Sequence, residues 1–407
     1  MPSPGNEFLS DEFGDIEDYF ISDYWLIDQY IGDQLWVWGS GSNNSYGRIG
    51  DGNSVDRSTP VTTFSGGANW KQVSTTSVHT AAVKTDGTLW TWGINFNGQL
   101  GNNTTSASAT PITTFAGGND WKQVSVGQRT TMAIKSDNTL WVWGENSNGK
   151  LGINISSYTT RPTPVTTFAG GNDWKKIISD DASIALKTDG SLWVWGRNGS
   201  GKLGINDSNS NAYKPTPVTT FAGGNDWKDI FMGNQAAAIK TDGSLWVWGT
   251  NYNGGLGINQ GNVSRPTPVT TFAGGNDWKS VAMGAYSTAA IKADGSLWVW
   301  GLNNNIGFAN NLLGVGYVSS IGSNNEACIS TPVTTFAGGN NWKTLLTTQS
   351  AIKTDGSLWV WGVNSVNLGT NASNDCLTPV TTFLGGNNWK TGNGQAAITA
   401  GLTVDFT

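Results

Sequence analysis

The tetrapeptide Trp-X-Trp-Gly occurs seven times in this chain, with its first tryptophan at Trp36, Trp90, Trp141, Trp193, Trp246, Trp298 and Trp359. Five of the six intervals are 51 to 54 residues and one is 61. Two further markers keep the same beat. Trp-Lys begins at Trp70, Trp121, Trp174, Trp227, Trp278, Trp342 and Trp389, and Pro-(Val/Ile)-Thr-Thr-Phe begins at Pro60, Pro111, Pro164, Pro217, Pro268, Pro332 and Pro379. A period of this length, holding several short β-prone runs and no helical periodicity, belongs to propeller blades and not to helical arrays.

Within one unit, Lys240–Gly249 reads Lys-Thr-Asp-Gly-Ser-Leu-Trp-Val-Trp-Gly. Asp242-Gly243 is a two-residue hairpin signal, with positive φ expected at both positions. On that register Ile239 lies opposite Trp246, Ala238 opposite Val247 and Ala237 opposite Trp248. Leu245 and Val247 point to one face of the strand, Trp246 and Trp248 to the other. Both faces are apolar, so each such strand needs cover on both sides, which neighbouring units supply. In the third unit Asp137-Asn138 replaces Asp-Gly, and asparagine is the next best residue at positive φ.

The first Trp-X-Trp-Gly has no Trp-Lys before it, and Trp389 has no Trp-X-Trp-Gly after it. Joined, the two partial copies make one complete unit. The expected fold is therefore all-β, a seven-bladed β-propeller closed by N- and C-terminal strands sharing a blade, which leaves no bare sheet edge. Residues 402–406 could form a returning strand of their own beside Leu35–Trp38, in competition with that closure or in addition to it. The expected division is an acidic, aromatic N-terminal arm at 1–30 and a propeller at 31–407, with a long insertion in blade six at 302–330.

The arm carries eight carboxylates and no lysine or arginine, yet also holds aromatic residues, which suit docking on a partner as well as a solvated tail. Its candidate contact residues are Phe8, Phe13, Tyr19, Phe20, Tyr24 and Trp25. The insertion offers Leu312, Leu313 and Tyr317, in the one apolar departure from the repeat.

The formal net charge is −6, and thirteen of the 23 lysines and arginines fall at two repeated positions. One follows the Trp of Trp-Lys; the other, as at Lys240, precedes the hairpin, with an aspartate two residues on. Lysines beside aspartates offer a phosphate backbone little net field, so nucleic acid is disfavoured. No apolar run reaches the length of a membrane span and no secretory signal is legible. Cys328 and Cys376 sit at matching places in neighbouring units, too far apart for the ~7 Å that a disulfide allows. Catalysis finds no motif: there is no Gly-x-Ser-x-Gly, Walker-type loop or His/Cys metal spacing, and no cofactor is expected. The single histidine, His79, reads as structural. Asp207–Asn211 lacks the glycine and distal glutamate of a calcium loop and reads as a polar turn.

The order Trp-Lys-x-Val-x-x-Gly, then Thr-Ala-Ala-x-Lys-x-Asp-Gly-x-Leu-Trp-x-Trp-Gly-x-Asn-x-x-Gly-x-Leu-Gly, with good instances at Trp121–Gly152 and Trp278–Gly301, resembles the regulator of chromosome condensation repeat family. The resemblance covers about residues 31–400 and implies a seven-bladed propeller. The wording of the repeats looks like the bacterial and phage branch, whose members often occur in surface-exposed or virion structural proteins. The founder of the family is a nucleotide-exchange factor, but its exchange segment has no residue-by-residue counterpart here. The resulting expectation is a non-catalytic structural or protein-interaction propeller of a virion, made in the cytoplasm of the producing cell and docked to other protein subunits through the arm and loops. The alternatives are a glycan- or receptor-binding propeller using the Trp-Lys tryptophans and, more weakly, a guanine-nucleotide exchange factor.

Overall fold

The computed structural model describes residues 26–31, 34–39, 46–54, 57–65, 69–76, 78–284, 286–303, 328–335, 338–348, 350–362 and 376–381. They form one three-stranded and six four-stranded sheets. The fifth sheet is representative: Trp227–Met232, Gln235–Lys240, Leu245–Gly249 and Arg265–Thr270 pair in sequence order, each antiparallel to the next. The first strands of successive sheets lie against one another. They also exchange hydrogen bonds: the Gln72 side chain accepts from Val124 N–H and donates to the Val124 carbonyl, and Ser74 Oγ accepts from Val126 N–H. First strands therefore sit innermost and fourth strands at the rim, which is a β-propeller.

The first sheet contains Leu26–Ile31, Gln34–Gly39 and Arg57–Thr62. Leu26 pairs with Trp38 and Ile31 with Gln34, so residues 26–31 take the second-strand place. The end of the stretch that composition assigned to an arm thus belongs to a sheet. Both edges of Gln34–Gly39 are occupied, by Leu26–Ile31 and Arg57–Thr62. The Trp389 unit, expected in the first-strand place, lies outside the described residues, as do residues 402–406.

The hairpin register differs from the sequence expectation by one residue. Ile239 pairs with Leu245, Ala238 with Trp246, Ala237 with Val247 and Ala236 with Trp248. Lys240 N–H donates to the Ser244 carbonyl and Gly243 N–H to the Lys240 carbonyl, enclosing a three-residue loop, Thr241-Asp242-Gly243. Only its last residue is left-handed, Gly243 at φ +83°, with Asn138 at +65° in the third sheet. This is the three-residue solution, a turn followed by one left-handed residue, and not the two-residue one. The glycine has a second reason. A Cβ on Gly243 would stand 1.9 Å from the Asn276 carbonyl oxygen of the following connection.

Cross-strand partners share a face, so the corrected register groups Ala236 and Ala238 with the two tryptophans. Small residues there leave room for indoles. Ala236, Ala238 and Trp248 pack with Ile184, Leu186 and Leu192 of the preceding sheet, while Ala237, Ile239, Leu245 and Val247 pack with Trp278 and Trp300 of the following one. Trp92, Trp143, Trp195, Trp248 and Trp300 are buried, and their indole N–H groups donate backwards: Trp92 to Arg48 O, Trp143 to Gln99 O, Trp195 to Lys150 O, Trp248 to Lys202 O and Trp300 to Gly255 O, at 2.8–2.9 Å. The accepting loops are braced by a buried asparagine, as where Asn251 Oδ1 accepts from Leu256 N–H and Asn251 Nδ2 donates to Gln260 O. That explains the spacing of the Gly-x-Asn-x-x-Gly-x-Leu stretch.

Candidate interaction face

The hairpins and the connections between sheets emerge on one face of the propeller; the turns joining first to second strands and the Asn-x-x-Gly loops emerge on the other. On the hairpin face the same cluster recurs. In the fifth sheet Asp242 Oδ1 accepts from the N–H and the hydroxyl of Ser244 at 2.8 and 2.6 Å, and Ser244 Oγ accepts from Trp246 Nε1 at 3.0 Å. The relay repeats at Asp86, Asp137, Asp189, Asp294 and Asp355, each with its Ser or Thr and Trp. These aspartates cap the turn. Their carboxyls lie below the usual range because the hydroxyl and N–H two residues on donate to the charged form.

The lysine before the hairpin has a different partner from the one its spacing suggested. Lys240 Nζ stands 4.8 and 4.9 Å from the ring centroids of Trp227 and Trp246, which meet edge to face, and pairs with Asp226 at 3.1 Å. Asp226 belongs to the Gly-Gly-Asn-Asp connection, fourteen residues before the lysine. Lys135, Lys187 and Lys292 pair likewise with Asp120, Asp173 and Asp277 at 3.0–3.2 Å. Lys84 and Lys353 occupy the same slot between indoles, but Asn69 and Asn341 stand where the aspartate would be. Burial pushes the Lys353 ammonium below its ordinary range, against a smaller opposing pull from the Asp355 carboxylate.

The Pro-(Val/Ile)-Thr-Thr-Phe marker ends the fourth strand on this face. Its phenylalanine points outward: Phe64, Phe115, Phe168, Phe221 and Phe272 are 63–71% exposed. Each of the five follows a threonine that is buried, so alternation at the strand end sends the ring to solvent. Isolated exposed rings need no explanation, but five at one repeated position mark a surface. The sequence displayed the marker without showing which way the ring turns. Phe336 and Phe383 lie outside the described residues.

Among the described residues the opposite face carries a charged network in the third and fourth sheets. Arg129 pairs with Glu145 at 3.1 Å, Lys150 with Asp181 at 2.8 Å and with Glu145 at 3.7 Å, and Lys202 with Asp180 at 2.7 Å. Burial pushes the Glu145 carboxyl up, yet hydrogen bonds from Ser147 and Arg129 and the Lys150 charge hold it below its ordinary range. His79 is buried between sheets. Thr131 spends its single proton on the Gln99 carbonyl, so His79 Nε2 must donate to Thr131 Oγ1, at 2.7 Å. Burial holds the imidazole neutral, its pKa brought down to about 3.

Phe8, Phe13, Tyr19, Phe20, Tyr24, Trp25, Leu312, Leu313 and Tyr317 all lie outside the described residues. Among the described residues the Trp-Lys tryptophans offer no sugar-stacking platform: Trp70, Trp121, Trp174, Trp227, Trp278 and Trp342 are all buried, covered by a lysine and by other indoles; Trp389 lies outside the described residues. Asp207–Asn211 is a polar turn, with Asn209 N–H on Asp207 Oδ1 and Asn211 N–H on Asn209 Oδ1. Among the described residues no group of three His, Cys, Asp or Glu side chains is placed to hold a metal, and no helix is long and apolar enough to cross a membrane.

Set beside known families, residues 34–402 match the RCC1-like domain. This chain belongs to that family. The ultraviolet-B receptor UVR8 of Arabidopsis thaliana is 28% identical over 295 residues, 70% of this chain and 64% of that protein. The mitochondrial RCC1 domain-containing protein RUG3 of the same plant is 31% identical over 207 residues, 48% of this chain and 46% of that protein. The chain thus spans less than two thirds of the length of these curated relatives. The structure of yeast RCC1 (Prp20) bound to Kap60 superposes with a TM-score of 0.67 at 17% identity, covering 90% of this chain and 86% of the other. Human WBSCR16 gives 0.64 at 18%, covering 89% and 94%. At these identities the structural likeness is one of fold. The RCC1-like repeat accounts for the relay, the lysine slot and the backward indole bonds as recurring parts of one unit.

Proposed function

We propose that this RCC1-like propeller is a non-catalytic protein-binding platform and that its hairpin face is the contact surface. Seven blades closed by the two termini give it a fixed geometry, and it serves as one subunit of a larger particle such as a virion. The arm residues Phe8 to Trp25 and the insertion residues Leu312, Leu313 and Tyr317 supply further contacts to other subunits. The reading rests on the five exposed phenylalanines, set among side chains otherwise committed to stacking, capping and ion pairs. Aromatic rings supply large contact area at low entropy cost, which suits a protein interface. The yeast protein Prp20p, of the same fold, is described with binding properties towards Gsp1p and histones, a precedent for protein binding by such a propeller.

The test places a photo-crosslinking residue at Phe168 or Phe221, and at Tyr252 on the opposite face, in the producing cell. Crosslinks to a defined protein from the hairpin face, abolished by changing Phe115, Phe221 and Phe272 to serine beside a crosslinker at Phe168, support the reading. Crosslinks from Tyr252 alone overturn it. The serine variants keep their thermal stability, since the rings are mostly in water already.

A further inference from the structure

Six described lysines occupy one slot, each ammonium held 3.8–5.2 Å from two indole centroids. The same pair of indoles flanks the ammonium in all six, the nearest approach being Lys353 to Trp359 at 3.8 Å. What differs is the carboxylate. At Lys135, Lys187, Lys240 and Lys292 an aspartate neutralises the ammonium at 3.0–3.2 Å. In the seventh sheet that place is held by Asn341, and among the described residues no carboxylate pairs with Lys353. The Asp355 carboxylate, two residues on, is engaged by the N–H and hydroxyl of Ser357. Lys353 is half-buried, as are the four paired lysines. Lys84 also faces an asparagine but is buried, away from reagents in water.

We propose that Lys353 is an acyl-modification site, whose amine takes an acyl group from small acyl phosphates faster than the four aspartate-paired lysines do. The amine must first lose its proton to solvent. Its lone pair then attacks the acyl carbon, a C–N bond forms, the C–O bond to phosphorus breaks, and inorganic phosphate leaves with the electron pair. The second N–H proton goes to water, leaving a neutral amide between Trp342 and Trp359. Desolvation without a counter-ion lowers the proton affinity of Lys353, which raises the fraction of free amine near neutral pH. The outcome is loss of one cation from the hairpin face, at a single sheet.

The experiment treats the folded full chain with acetyl phosphate near neutral pH and follows initial rates at each lysine by site-resolved mass spectrometry. Lys353 is expected to acylate several times faster than Lys135, Lys187, Lys240 and Lys292, and its rate to level off at a lower pH. Asn341→Asp restores the ion pair and slows Lys353 to the rate of Lys240. Asp226→Asn removes a pair and speeds Lys240, with Lys353 unchanged. Circular dichroism confirms that both variants fold. Equal rates at the five lysines, or a Lys353 rate indifferent to Asn341→Asp in a folded protein, overturn the proposal.

Discussion

Changing Trp248 to phenylalanine isolates the bond that ties one sheet to the one before it. The indole is fully buried and its Nε1–H donates to Lys202 O at 2.9 Å. Phenylalanine keeps an aromatic ring in the slot but has no donor, and no other hydrogen bond to that carbonyl is formed among the described residues. A buried acceptor left without its partner costs about 1–3 kcal/mol. The lost pyrrole portion removes apolar contact equivalent to about two methylene groups, roughly 1.6 kcal/mol at ~0.8 kcal/mol each, and leaves part of its volume empty. The sum is about 3–5 kcal/mol, at the upper end for one substitution. Trp246→Phe is the matched control. That indole is only partly buried and bonds within its own hairpin, to Ser244 Oγ, so about 1–2 kcal/mol is expected. Urea unfolding followed by far-ultraviolet circular dichroism measures both, and amide exchange in Ala182–Lys187 and Gln235–Lys240 shows whether the two sheets separate. Should Trp248→Phe cost no more than Trp246→Phe, the backward bond is not what couples the sheets.

Two other outcomes follow from particular contacts. His79, held neutral with its pKa near 3 against about 6.5 when unfolded, makes the unfolded chain bind the extra proton as pH falls below 6.5. Its contribution is present above that value and lost on the way down, about 2 kcal/mol by pH 5, and His79→Gln should flatten the stability profile between pH 7 and 5. Gly243→Ala meets both a left-handed backbone at φ +83° and a carbonyl 1.9 Å from the new Cβ, so thermal unfolding should show a loss well above the ~1–2 kcal/mol of handedness alone.

The large-scale order of this fold is written in the repeat. Two tryptophans on one side of Leu245–Gly249 and two aliphatics on the other demand neighbours on both sides, and the sheets supply them. What the chain hides is one residue of register. Thr241 looks like the end of a strand because threonine is β-prone, but Lys240 pairs with Ser244 and draws Thr241 into the loop. The partner of Lys240 was obscured for a similar reason: Asp242 is near in sequence but is taken by Ser244, whereas Asp226 arrives from the connection that begins the sheet. The direction of the phenylalanine in the Pro-Val-Thr-Thr-Phe marker depends on where the fourth strand stops, which composition does not reveal. Candidate contacts in the arm and insertion had no periodicity to anchor them.

The backward indole bonds give the propeller a chemical arrow. Each of these five units brings its own donor and finds its acceptor in a unit already synthesised, so these sheets are able to fasten in the order in which the ribosome delivers them. A duplicated unit arrives with its own clasp and with an anchor point for the next, which lets the array lengthen by copying without inventing a new junction.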